Sequence, residues 1–158
     1  MDLIVRFPPC FYKKTWRFAV INYPDPSAGM KKKILLVEDE PTIQKLLHFV
    51  LSKEFDLEIA SNGYEAFLWL ENRQIPDLII MDWIMPQMDG KSFLKCIKVS
   101  GLYSEIPIIV LSASDDVADE LSNLPYSVNQ CLSKPFDPTV LKQTIANIFK
   151  DKVHGLIN

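Results

Sequence analysis

Apolar residues in this chain come in short blocks, and the blocks alternate between two kinds of spacing. Ile34-Leu35-Leu36-Val37, Leu78-Ile79-Ile80-Met81 and Ile108-Ile109-Val110-Leu111 are unbroken apolar runs. A run that short reads as a parallel strand covered on both faces. Between the runs the spacing is helical. Ile43, Leu46, Leu47, Val50 and Leu51 follow the i, i+3, i+4, i+7, i+8 pattern of one buried face, behind a proline at position 41 that suits a first helical turn. Leu57 to Ala60 makes a second strand nearer an edge, and Ser61-Asn62-Gly63 turns into a helix with Ala66, Phe67 and Leu70 inward. After the strand at Leu78, Met85-Pro86-Gln87-Met88-Asp89-Gly90 supplies turn chemistry, with Gly90 as the residue tolerant of positive φ. Lys91 to Val99 is a third helix, with Phe93, Leu94 and Ile97 apolar. A fourth strand runs from Ile106 to Leu111, its Pro107 near the start where a lost ladder bond matters least. A weaker helix spans Ser114 to Leu124, a fifth strand Val128 to Leu132, and Asp137-Pro138 opens a last helix carrying Val140, Leu141, Ile145, Ile148 and Phe149.

Five βα units in about 120 residues imply an α/β fold with helices on both faces of a parallel sheet. Right-handed crossovers leave few topologies, and the flavodoxin-like (βα)5 arrangement, a doubly wound five-stranded parallel sheet of order 2-1-3-4-5, fits the length. No G-x-G-x-x-G follows the first strand and no Walker A sequence occurs, so neither a dinucleotide nor a P-loop nucleotide site is expected.

The rest of the chain adds little to that frame. Of 158 residues, 48% are hydrophobic and 23% charged, ordinary for a globular domain. Formal net charge is −3, but residues 1–29 hold four basic and two acidic residues, which leaves 13 basic and 18 acidic in the remainder. An acidic body argues against direct nucleic-acid binding. Residues 1–29 read as an extension, with one short strand at Trp16 to Tyr23 and a linker at Pro24 to Gly29, ahead of a domain at 30–152 and a tail at 153–158. No apolar run reaches the roughly 20 residues that span a bilayer. Cys10, Cys96 and Cys131 are an odd number without a CxxC pair, and read as reduced thiols of a cytoplasmic protein.

The polar residues at the strand ends carry the chemistry. Strand one ends at Glu38-Asp39, strand three at Asp82, strand four at Ser112 and strand five at Lys134. In a parallel sheet these ends share one edge, where open α/β sheets bind ligands. Three carboxylates placed so close repel one another. A divalent cation relieves that, and oxygen donors without His or Cys point to Mg²⁺. With the metal present, one aspartate stays ionised and can attack phosphorus to give an aspartyl phosphate, a transfer that needs mainly positioning and charge neutralisation. Lys134 adds positive charge, and the Ser112 hydroxyl can bond a phosphoryl oxygen.

At these residues the chain resembles the receiver domain of two-component response regulators. The matching stretches are Leu35-Leu36-Val37-Glu38-Asp39-Glu40, Asp82 with Met85-Pro86-Gln87-Met88-Asp89-Gly90, Leu111-Ser112-Ala113 and Lys134-Pro135-Phe136, with Asn62-Gly63-Tyr64-Glu65-Ala66 at the start of the second helix. Each is weak alone; four in order at strand ends are specific, and the likeness covers about residues 31–150. It implies that Asp82 accepts a phosphoryl group from a histidine kinase or a histidine phosphotransfer protein. It implies Mg²⁺ held by Asp39, Asp82 and the Ile84 backbone carbonyl, with Glu38 acting through water. It also implies a cis peptide at Lys134-Pro135, and switching through Ser112 and the strand-five position to a face formed by helix four, strand five and helix five. Two positions depart from the family's pattern. Cys131 stands where Tyr or Phe is usual, which weakens the expected coupling, and Glu38 replaces the more usual Asp.

The expected function is therefore a signalling phosphoacceptor, not a turnover enzyme, working through protein partners with no attached output domain, since about eight residues follow the last helix. Two alternatives remain: a Mg²⁺-dependent phosphatase of haloacid-dehalogenase type, which uses a similar Asp, hydroxyl and Lys, and a receiver-like binding module that is not phosphorylated. His48 lies on the polar side of the first helix and reads as a surface histidine. Trp69 and Trp83 read as packing residues, and Asp115, Asp116, Asp119 and Glu120 as a solvated face.

Overall fold

A computed structural model describes residues 31–114 and 116–154, all within the second of two units, Lys31–Asn158. The strand expected at Trp16 to Tyr23, the linker after it and Cys10 lie outside these residues. The elements are β1 (Lys33–Val37), α1 (Pro41–Leu51), β2 (Asp56–Ala60), α2 (Gly63–Glu71), β3 (Leu78–Asp82), α3 (Gly90–Val99), β4 (Ile108–Ser112), α4 (Asp116–Ser122), β5 (Gln130–Ser133) and α5 (Pro138–His154). The five strands form one sheet in the order β2-β1-β3-β4-β5, every neighbouring pair parallel. The flavodoxin-like arrangement expected from the sequence is the one observed.

The unbroken apolar runs are resolved by the sheet into two alternating sets. Leu35, Val37, Ile79, Met81, Ile108 and Val110 face one side and meet Ala66, Leu70, Phe93, Leu94, Ile97, Val117 and Leu121 from α2, α3 and α4. Ile34, Leu36, Leu78, Ile80, Ile109 and Leu111 face the other and meet Leu47, Leu51, Leu141 and Ile145 from α1 and α5. This is the period of two that a doubly covered strand hides. The edge strands mix polar and apolar positions, with Asp56 and Glu58 exposed on β2 and Gln130 and Ser133 on β5.

Several boundaries and faces differ from the sequence reading. Of the α1 residues expected on the buried face, Leu47 and Leu51 are buried and Ile43 and Val50 half-buried, whereas Leu46 is 42% exposed. Val140 on α5 is exposed too, while Leu141 and Ile145 are buried. A helix packed on one face of a sheet buries a narrow stripe, so the outermost apolar positions of a broad stripe stay in solvent. β4 starts two residues late because Ile106 and Pro107 precede the ladder; the Pro107 carbonyl accepts the Ile79 N–H at 3.0 Å, and the missing proline N–H costs nothing. The Asn129 side chain accepts the Ile108 N–H at 2.9 Å, so β5 begins only at Gln130. Asn62 caps α2 by accepting the Glu65 N–H at 2.9 Å, and Asp89 caps α3 by accepting the Ser92 N–H at 2.7 Å.

Candidate functional site

The carboxyl ends of β1, β3, β4 and β5 line one edge of the sheet. Glu38 follows the last residue of β1 and is fully buried, Asp82 closes β3 and is 8% exposed, and Ser112 closes β4 and is buried. Asp39 is exposed. Lys134 follows β5, and its backbone N–H donates to the Ser112 carbonyl at 2.6 Å, holding the two strand ends abreast. The sequence-derived cluster is therefore assembled: Glu38, Asp39 and Asp82 each bring a carboxylate oxygen within 4.8 Å of the others, and Lys134 Nζ lies 2.7 Å from both Glu38 Oε2 and Asp82 Oδ2.

Every oxygen of the two buried carboxylates has a donor. Glu38 Oε1 accepts the Glu40 N–H at 3.2 Å, and Asp82 Oδ1 accepts the Ile84 N–H at 3.3 Å. The Gln44 side-chain amide donates to the Glu38 carbonyl, so α1 also fixes that turn. Burial pushes the Glu38 carboxyl above its usual range, against the lowering influence of Lys134. Burial opposes the Lys134 charge, but its hydrogen bonds to Asp82 and Glu38 outweigh this and hold the ammonium above its ordinary value. One cation thus faces three carboxylates, and the donors are all oxygen. That charge deficit and donor set fit a hard divalent cation, with Asp39 on the solvent side.

The remaining expectations fall out unevenly. The Lys134-Pro135 peptide is cis. Ser112 Oγ donates to the Ser114 carbonyl and accepts the Ser114 N–H, both at 3.1 Å, so in this state the hydroxyl serves its own loop. Cys131 is a free, half-buried thiol packed against the α4 side of the core, and Cys96 is half-buried too. His48 is exposed on α1, as expected. The side chain of Ile84 is 64% exposed beside the site.

Gly90 is needed for a different reason from the one expected. A Cβ there would sit 2.7 Å from the Asp82 carbonyl oxygen and 2.8 Å from Trp83 Cα, so only glycine lets α3 start against the Asp82–Trp83 peptide. The positive φ in this loop belongs instead to Gln87, at 65°. Trp83 is buried, as a packing residue should be, but its indole N–H donates to Glu120 Oε2 at 2.9 Å, and Lys91 Nζ donates to Glu120 Oε1 at 2.8 Å. Glu120 is therefore not part of a merely solvated face. Hydrogen bonds from Lys91 and Trp83 hold its carboxyl below the usual range, and Glu120 in turn raises Lys91. Nothing in the sequence marked this pairing, because Trp83 and Glu120 are 37 positions apart and each has an ordinary role alone.

A parallel sheet of this order, with acidic residues at the ends of β1 and β3, a hydroxyl at the end of β4 and a lysine after β5, defines a class of aspartate-centred signalling modules. The chain belongs to the response regulator receiver domain family, whose description matches residues 34–146. It is 31% identical over 119 residues to the phosphate regulon transcriptional regulatory protein PhoB of Klebsiella pneumoniae, covering 75% of this chain and 51% of that protein. It is 36% identical over 121 residues to the probable transcriptional regulator ycf27 of Guillardia theta, covering 76% and 46%. The chain thus spans about half the length of these curated relatives. Among solved structures, the signal receiver domain of a signal transduction histidine kinase from Syntrophus aciditrophicus superposes with a TM-score of 0.69 at 31% identity, over 76% of this chain and 91% of that one. The chemotaxis response regulator CheY4 of Vibrio cholerae does so with 0.67 at 28% identity, over 75% and 99%. Among the described residues no helix is long and apolar enough to cross a membrane.

Proposed function

We propose that this receiver domain is a phosphoacceptor, that Asp82 is the residue modified, and that the domain signals by contact with other proteins in the cytoplasm. The observation that carries the reading is the meeting of Glu38, Asp39 and Asp82 within 4.8 Å, with Lys134 bridging the two buried carboxylates. The phosphoryl donor is a phosphohistidine on a histidine kinase or phosphotransfer protein. An Asp82 carboxylate oxygen forms the new O–P bond while the N–P bond of the donor breaks and the imidazole leaves with the bonding pair. Lys134 moves from the carboxylate pair to a phosphoryl oxygen, and the Ser112 hydroxyl turns from Ser114 to donate to another.

Asp39, Asp82 and the Ile84 carbonyl, with Glu38 behind them, are the groups that would hold Mg²⁺. When bound, the ion supplies the positive charge that lets a phosphoryl group approach a carboxylate cluster. The domain acts as a receiver of one phosphoryl group and not as a turnover catalyst. Incubation with acetyl phosphate and Mg²⁺, followed by mass spectrometry, is expected to add one phosphoryl group at Asp82. Chelation of the metal or Asp82→Asn should abolish the addition, and equal labelling of Asp82→Asn would overturn the assignment.

A further inference from the structure

We infer that Glu120 is a positioning residue that couples helix α4 to the phosphoacceptor segment through the indole of Trp83. The inference rests on the phosphoacceptor reading of Asp82. Trp83 is the residue joined directly to Asp82, and its backbone has no slack. Its N–H donates to the Leu111 carbonyl at 3.0 Å, and its carbonyl accepts the Gly90 N–H at 3.0 Å. The start of α3 presses on the same peptide so closely that a Cβ on Gly90 would not fit. A displacement of the Asp82–Trp83 peptide must therefore move the indole as well.

The indole is buried, and its N–H is a donor only, so it needs an acceptor where water is scarce. Glu120 of α4 provides one oxygen at 2.9 Å and spends the other on Lys91 of α3 at 2.8 Å. One carboxylate thus joins α3, α4 and the residue after the phosphoacceptor. An apolar side chain at position 120 would cover Trp83 equally well but leave the N–H unsatisfied.

A second polar link joins helix α4 to the site. Ser112 bonds Ser114 in both directions, and Ser114 Oγ accepts the Asp116 N–H at 3.3 Å. If the Ser112 hydroxyl turns to a phosphoryl oxygen, its bond to the Ser114 carbonyl is lost and that link loosens. The Trp83–Glu120 bond remains, and α4 moves about it. The route through β5 is thin by comparison, because Cys131 is small and only half-buried. Glu120 is the residue that makes α4 follow the site in a chain without an aromatic on β5.

The test measures amide exchange of α4 and the ¹⁵N–¹H resonance of the Trp83 indole, on the full chain with Mg²⁺, with and without beryllofluoride as phosphoryl mimic. In the wild type both should change. Glu120→Met should reduce the α4 response about fivefold, the low end of typical coupling between sites, while acetyl phosphate still labels Asp82. Trp83→Phe keeps an apolar ring without the donor and should reproduce the loss. Glu120→Gln keeps an acceptor for the indole and should retain most of the response. It also serves if Glu120→Met folds poorly. A wild-type-sized response in Glu120→Met or Trp83→Phe, or equal loss in Glu120→Gln and Glu120→Met, would overturn the coupling while leaving the phosphoacceptor reading intact. A wild type that takes up no beryllofluoride would sink that reading, and the coupling with it.

Discussion

The centre of the sheet and its β5 flank are built differently. Every residue of β3 and β4 is buried, and so are the last four of β1. No residue of β5 is fully buried, and α4, seven residues long, sends only Val117 and Leu121 into the core. The two halves of the site divide along this line. Asp82 and Ser112 close buried central strands and Glu38 follows one, whereas Lys134 follows the lightly buried β5. Glu38 and Asp82 are thus held by burial, and Lys134 by the β4–β5 ladder and its own ion pairs. Elements with few buried apolar contacts are the ones that open or move at low cost. A buried carboxylate pair beside a lightly buried flank suits the proposed phosphoacceptor role, in which a change of charge at the site would move the flank.

The largest effect should come from cutting the tie between the halves. Lys134→Met leaves the fully buried Glu38 carboxylate without its cation, and is expected to cost about 3–5 kcal/mol in urea unfolding, part of it recovered by Mg²⁺. A loss under about 1 kcal/mol, the worth of an exposed pair, would mean that the flank is held by something else. Next, Ile80→Ala should cost about 2–5 kcal/mol, and Leu121→Ala on α4 less, because its site is nearer solvent. Equal losses would erase the contrast between centre and flank.

A subtler test restores bulk on the flank. Cys131→Tyr should enlarge the beryllofluoride-induced exchange changes across Val117 to Ser122 and Val140 to Ile148, since a tyrosine moves more surface than a thiol. Equal or smaller changes would show that strand-five bulk does not limit the signal. The smallest effect belongs to α1. Leu46→Ala should change stability by no more than about 0.5 kcal/mol, as at an ordinary surface position. A loss of core size would place Leu46 inside after all.

The parts that were readable from sequence share a cause. The central strands were legible because an unbroken run such as Leu78 to Met81 has no polar face to offer and must be covered on both sides. The site was legible because parallel strands put their carboxyl ends together, so the strand order alone brings Glu38, Asp39, Asp82, Ser112 and Lys134 to one edge. The flank was less legible. α4 is shorter than the Ser114 to Leu124 segment expected, and β5 starts later than Val128, because weakly patterned segments take their limits from side-chain bonds such as that of Asn129.

What the sequence determined by itself was the alternation of strand and helix, the strand order allowed by right-handed crossovers, and the kinds of charge at each strand end. These follow from residue period and chain topology, which are properties of the chain read along its length. Only the tertiary structure decided that Leu46 and Val140 stay in solvent, that Gly90 serves close approach to the Asp82–Trp83 peptide, that Ser112 turns toward Ser114, and that Glu120 holds Trp83 and Lys91 together. Each of these depends on which atoms meet once the helices have docked, over a few ångströms, and polar groups brought together across dozens of residues leave no periodic trace in the sequence.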